Sequence, residues 1–419
     1  MATDLKVQFF SHLNGINLGN NWGDLIRMLD ICLVNGLPFS SVTAASIDAN
    51  GDINLTFFAA HNAVLFQVVE LTGFSPSNIN GKYRIKGLPT STQIILKAEL
   101  SGQSITANGS AKLAALGYEI IFRDTNDVKR VYRAKNPSSA HPFIRVDESI
   151  SDGTNTYNSA YAKSAMVGLI ENMSHIDDYE DPTKLQLPCD PTDLKKNWKI
   201  TGTGTSVVRG WSKWYWACNA EPSNNMFETS APSVNNRRFS LVGDNDCFYF
   251  LRNLMNNFDF GKLLAGCGLF APNYEPSIEK NWFLMSSLSA QSASTSLLLY
   301  NIDGGIPLSS RTLNTSGLFV PSNTNMDHVL TTPIIPDLLT GYSNIASGTS
   351  IPALEIPLLT SSKNLKGTLK HVLYSGRNLG IKQTTPYIGE KSMYVADSHH
   401  ISTSGGQNGN CYFYLGELE

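Results

Sequence analysis

The residues best suited to chemistry lie near the C-terminus. Asp397-Ser398-His399-His400 supplies carboxylate and imidazole groups, with His371 upstream. Such groups bind zinc when three or four face one point, as two histidines do in HExxH on a helix. That pattern is missing, so the segment is expected to be a polar surface loop. Asp177-Asp178-Tyr179-Glu180-Asp181 is the densest acidic run. It lacks the glycine and terminal glutamate of a calcium loop, so a solvated loop is expected. Gly202-Thr203-Gly204 does not continue into GxGxxG, and the chain holds neither GxxxxGK[ST] nor GxSxG. Glycoside cleavage needs two carboxylates about 5–9 Å apart. With 35 acidic residues, sequence alone cannot nominate such a pair.

Aromatic side chains give the best candidate surface. Trp211, Trp214 and Trp216 nearly alternate. Tryptophan buries a large area at small entropic cost, so the three suit a protein interface or a sugar-stacking face, in competition with a core role. They are the candidate interface residues. Cys218 follows, and pairing with Cys247 would require Cα atoms within about 7 Å. The six cysteines contain no CxxC and are expected to be buried thiols. No catalytic residue, cofactor site or metal site is nominated, and a non-enzymatic protein is expected.

Composition narrows the partners. Only 16% of the 419 residues are charged, against a usual ~25%. The net charge of −3 offers no basic excess for a phosphate backbone, so no nucleic acid is expected. No run of about 18 apolar residues occurs, so neither a spanning helix nor a membrane partner is expected. The opening MATDLKVQFF lacks a basic region followed by an apolar stretch, so no secretory signal is expected.

One helix and many strands must position these residues. Apolar residues at 22, 25, 26, 29, 32 and 33 follow helical spacing and predict a helix over Trp22 to Val34. Asn20 or Asn21 is the expected cap, and Asn35-Gly36 the expected stop. Strands are predicted around Lys6–Phe10, Ile53–Phe57, Val64–Leu71, Lys82–Lys86, Gln93–Leu100, Tyr118–Arg123, Val128–Arg133, Phe143–Val146 and Tyr161–Ile170. Asn80-Gly81 reads as a hairpin dipeptide. Arg238–Asp244 and Cys247–Leu251 flank a tight turn and predict a hairpin. Short apolar clusters at Leu297–Tyr300, Ile334–Leu339 and Leu354–Leu359 sit among Ser, Thr, Asn, Gly and Pro. The expectation is a β-dominated α+β fold. It comprises a helix-plus-sheet platform (1–148), a Trp-rich β module (149–290) and a loop-rich C-terminal region (291–419).

An ordered set of landmarks adds a resemblance. It runs Ser11-His12-Leu13, Asn20-Asn21-Trp22-Gly23-Asp24-Leu25-Ile26, Asn80-Gly81-Lys82-Tyr83-Arg84-Ile85, Val131-Tyr132-Arg133, Phe143-Ile144-Arg145-Val146-Asp147 and Arg238-Phe239-Ser240-Leu241-Val242-Gly243-Asp244. Over residues 1–270 this string resembles virion structural proteins of tailed bacteriophages. The resemblance transfers no catalytic residue. It implies a structural part of the particle, foremost in the tail or baseplate, packed against copies of itself and other virion proteins. Capsid decoration or a head-to-tail connection is the nearest alternative. A host-glycan-binding or glycan-degrading protein is the alternative from another class.

Overall fold

The computed structural model describes residues 4–219, 229–256, 262–275, 279–288, 318–321, 328–333, 353–360, 362, 364–375, 380–400 and 408–418. Strand accounts for 47% of the chain and helix for 8%, so the β-dominated α+β expectation holds.

Three antiparallel sheets carry most of the described chain. The N-terminal sheet orders its seven strands as 37–38, 110–113, 68–72, 81–90, 93–96, 53–57 and 42–47. The middle sheet runs 186–187, 163–170, 143–147, 129–134 and 118–123, with 213–217 also pairing against 163–170. The large sheet opens with Gln8–Ser11, continues through Phe239–Gly243, Cys247–Arg252, Leu263–Leu269 and Trp282–Leu288, and ends with Asn408–Glu417, Ser392–His400 and Thr385–Ile388.

Period-two alternation explains how the large sheet serves two cores. Leu241, Phe248, Phe250, Cys267 and Leu284 join one cluster with Leu25, Leu29 and Trp214. Their neighbours Val242, Tyr249, Leu251, Leu264 and Phe283 point the other way. They join Leu358, Val372, Val395 and Phe413 from the later strands of the same sheet. The central strands are therefore buried on both faces, which is why their sequences read as continuous apolar runs.

The predicted hairpin is present, with Val242 opposite Tyr249 and Gly243 opposite Phe248. The expected boundary at 148 falls between neighbouring strands, since Phe143–Asp147 pairs with Lys163–Ile170. Gln8–Ser11 likewise pairs with residues 240–243. Asn80-Gly81 is not a two-residue hairpin turn but ends the longer connection between the paired strands Val68–Thr72 and Gly81–Thr90. Asn80 exchanges side-chain hydrogen bonds with the Phe74 backbone (2.8 and 3.0 Å) and closes a 3-10 turn before the strand Gly81–Thr90. Within 291–419 the described residues are mostly strand, including Leu354–Thr360 and Leu365–Ser375. Leu297–Tyr300 and Ile334–Leu339 lie outside the described residues.

The predicted helix is an α-helix over Asp24–Leu29 that widens into a π turn over Asp30–Asn35. It stops at Gly36, whose φ of 72° suits glycine. Its start differs from expectation. Gly23, at φ 88°, occupies the cap position and has no side chain to offer. The buried carboxylate of Glu148 takes over, accepting from the N–H groups of Gly23 and Ile26 (2.9 Å for Ile26). A cap supplied 122 residues away leaves no local sequence signal. At the other end Asp30 binds Tyr132 (2.7 Å) and Arg130 (3.2 Å), which pins the π turn to the middle sheet.

Buried guanidinium groups tie segments together. Arg84 donates to the carbonyls of Asp4, Val7, Phe66 and Leu415. It thus joins the N-terminal sheet, the first strand region and the last strand. Burial lowers its pKa to about 10, against the opposing charge of Asp4. Arg252 donates to the carbonyls of Tyr215, Leu263 and Ser286, and Arg209 to those of Ser149, Ser164 and Asp147.

Two outcomes follow. Arg84→Met strands four carbonyls at about 1–3 kcal/mol each before relaxation. Denaturant unfolding is expected to show a loss of more than about 3 kcal/mol, and a loss below about 1 kcal/mol would contradict the clamp. Burial raises the pKa of Glu148 from 4.5 to about 7, opposed by its two N–H bonds. The folded state therefore holds this proton between those values. The group's stabilising contribution is complete below pH 4.5 and is lost as pH rises through about 7. Melting temperatures from pH 5 to 8 should fall more steeply for the wild type than for Glu148→Gln.

Candidate interaction surface

The candidate tryptophans separate into two environments. Trp214 and Trp216 lie on the strand Lys213–Ala217 and are fully buried. The indole of Trp214 donates to the carbonyl of Met285 (3.0 Å) and meets Phe248 edge-on at 5.8 Å. Trp216 meets Trp22 edge-on, also at 5.8 Å. Both belong to the core between the middle and large sheets and leave the candidate interface. The strand is covered on both faces, so its alternation does not mark an exposed side. Trp211 is only half-buried, under the Lys196 ammonium (4.3 Å) and beside Phe319 (5.4 Å).

The polar candidates are also absorbed into the fold. Asp397 is not in a surface loop. It is buried on the strand Ser392–His400, paired with Lys262, and accepts from Ser240 (2.5 Å). Ser240 also bonds Thr384. This group closes the seam where an early strand of the large sheet meets a late one. His12, beside that seam, has its pKa lowered by burial. His399 is buried with its ring edge-on to Tyr374 at 5.6 Å. Within the acidic run, Asp178 accepts from the N–H groups of Ser174 and His175 and from Lys184 (2.8 Å). Burial opposes ionisation, yet these donors hold the carboxyl below the usual range. Asp177 binds Arg145 at 3.0 Å. Gly202 precedes, and Gly204 opens, an exposed 3-10 turn (Gly204–Ser206) between two short strands. The six cysteines are buried thiols, Cys218 and Cys247 among them.

A different surface presents unsatisfied apolar area. Thr385–Ile388 is the terminal strand of the large sheet and pairs on one side with Ser392–His400. Among the described residues no strand covers its other side. Tyr387 is 38% exposed and Ile388 57%, whereas the strand's inner neighbours Val395 and Phe413 are sealed in the core. Tyr387 lies opposite Tyr394, which lies opposite Tyr414, so three tyrosines cross three strands on the outer face. Tyr387 also meets Tyr412 edge-on at 5.8 Å, and Tyr394 meets Tyr414 at 5.6 Å. The hydroxyl of Tyr414 donates to Glu417 (2.5 Å), which fixes one end of the row. Tyrosine combines a rigid apolar ring with a polar tip, the balance favoured at protein interfaces. Pro386 lacks an N–H, which discourages indiscriminate extension of the sheet. The surface therefore offers side-chain contact more readily than strand addition. Tyr412 and Tyr414 alternate in sequence, but only the strand registers bring Tyr387 and Tyr394 beside them.

No protein-family model matches the chain, and no curated protein matches it.

The core assignment has a direct check. Trp214→Ala should cost about 3–5 kcal/mol in denaturant unfolding, and Trp211→Ala less than about 2 kcal/mol. Equal costs would contradict the division between core and surface.

Proposed function

We propose that this chain is a non-enzymatic structural component of a tailed-bacteriophage virion, foremost of the tail or baseplate. It works by packing against copies of itself and other virion proteins. The observation that carries the reading is the edge strand that leaves both Tyr387 and Ile388 exposed, with Tyr387 continuing a tyrosine row across three strands. Buried against a neighbouring subunit, those rings would gain the transfer energy they lack in the isolated chain.

The resemblance gains support from where its landmarks lie. Ser11 pairs with Ser240, Phe10 with Leu241 and Phe9 with Val242. Gly23 is bound by Glu148, the residue after the Phe143–Asp147 landmark. Arg84, from the Asn80–Ile85 landmark, holds the chain termini together. The landmarks are thus neighbours that build a scaffold, as a shared structural role requires. Of the other roles, a glycan-binding one draws on the same tyrosines, since flat rings stack on sugars.

The test uses purified particles and the variant Tyr387→Asp/Ile388→Asp, at the exposed edge, with its melting temperature compared with wild type. The expected result is that the wild-type chain is a stoichiometric particle protein by mass spectrometry and that the variant's incorporation falls about tenfold or more. Absence of the chain from particles would overturn the reading. Equal incorporation of the variant would overturn this surface as the contact. Release of reducing ends from host polysaccharide by the purified chain would favour the glycan alternative.

A further inference from the structure

The tight turn of the hairpin holds a second constellation that sequence spacing conceals. Asp244 and Cys247 flank the turn between Phe239–Gly243 and Cys247–Arg252, and His371 comes from Leu365–Ser375 in the other half of the large sheet. One ligand atom of each lies within 4.8 Å of the others. We propose that Asp244, Cys247 and His371 form a binding site for a zinc-type divalent cation that pins the two halves of the large sheet together.

Four observations support it. The donor set is thiol sulfur, imidazole nitrogen and carboxylate oxygen, the mixture that zinc selects over calcium or magnesium. The carboxylate is pre-oriented: Asp244 Oδ1 accepts from the N–H groups of Asp246 (2.8 Å) and Cys247 (3.1 Å), which leaves Oδ2 facing His371 Nε2 at 2.9 Å. Such outer hydrogen bonds fix first ligands in metal sites. The surroundings favour a cation. Asp246, next to the site, is held by Lys370 (2.7 Å) and His141 (3.0 Å). Once Cys247 is ionised, three negative groups face the one ammonium of Lys370, so a divalent ion brings the cluster to neutrality. Finally there is a route in. Cys247 is fully buried, but the His371 side chain is 21% exposed, so solvent reaches one side and can supply the fourth ligand.

Binding is a simple exchange. The Cys247 thiol gives its proton to solvent, and the resulting thiolate coordinates the ion. His371 coordinates through Nε2 with its proton on Nδ1. No electron is transferred.

Cobalt(II), a spectroscopic stand-in for zinc, tests the site on the full-length chain treated with a chelator and then desalted. The expected result is one equivalent of Co²⁺ giving a near-ultraviolet thiolate charge-transfer band and visible bands of four-coordinate intensity, both erased by Zn²⁺. Cys247→Ser should remove the charge-transfer band. Asp244→Asn keeps the oxygen that caps the turn, and His371→Asn suits the backbone φ of 60° at that position. Each should weaken Co²⁺ binding at least about tenfold while melting like wild type in chelator. Weak six-coordinate bands alone, or unchanged binding in both Asp244→Asn and His371→Asn, would overturn the proposal.

Discussion

A guanidinium group taken out of water is tolerable only when its fork of N–H donors is filled. At four of the buried arginines of this protein backbone carbonyls do most of the filling, whereas Arg130 and Arg145 meet carboxylates. Arg84, Arg209, Arg237 and Arg252 are fully buried, and each donates to carbonyl oxygens from separate stretches of chain. Each of these guanidinium groups thus satisfies several carbonyl acceptors at once. The arrangement is costly to break from either side, because losing the arginine strands the carbonyls and losing a carbonyl strands the charge. Burial lowers the pKa of Arg252 to about 9 and that of Arg84 to about 10.

These clamps lie at junctions. Arg84 spans from Asp4 and Val7 to Leu415, so its bonding is complete only when the last strand is in place. Arg252 links the strand Lys213–Ala217 of the middle sheet to the large sheet through the carbonyls of Tyr215, Leu263 and Ser286. Glu148 plays the matching acidic part, holding the helix start from across the core. The Asp397–Lys262 pair then closes the seam of the large sheet. The fold is thus held by long-range polar ties laid over a core that alternates between two hydrophobic clusters.

Local patterns were legible where local physics decided. Ile53–Phe57 and Tyr118–Arg123 form strands where their alternation predicted them. Gly36 ends the helix where its backbone freedom is needed. Long-range partners were not legible. Nothing beside Asn20 or Asn21 shows that Glu148 caps the helix, and nothing beside Asp397 shows that Lys262 awaits it. The tryptophans misled for a related reason, since alternation cannot separate an exposed face from one covered by a second sheet. The described C-terminal strands were hard to read because Ser, Thr and Gly are frequent around them, although Leu354–Thr360 pairs with its neighbour Leu365–Ser375 and Ser392–His400 with Asn408–Glu417.

The buried arginines tie together segments far apart in sequence, from Val7 to Leu415 and from Tyr215 to Ser286. Hydrogen exchange at the arginine Nε–H groups, followed by nuclear magnetic resonance on deuterated protein, tests this most directly. The account predicts that the Nε–H signals of Arg84, Arg209, Arg237 and Arg252 exchange only on global unfolding, far more slowly than that of exposed Arg27. Exchange of those four as fast as Arg27 would contradict it.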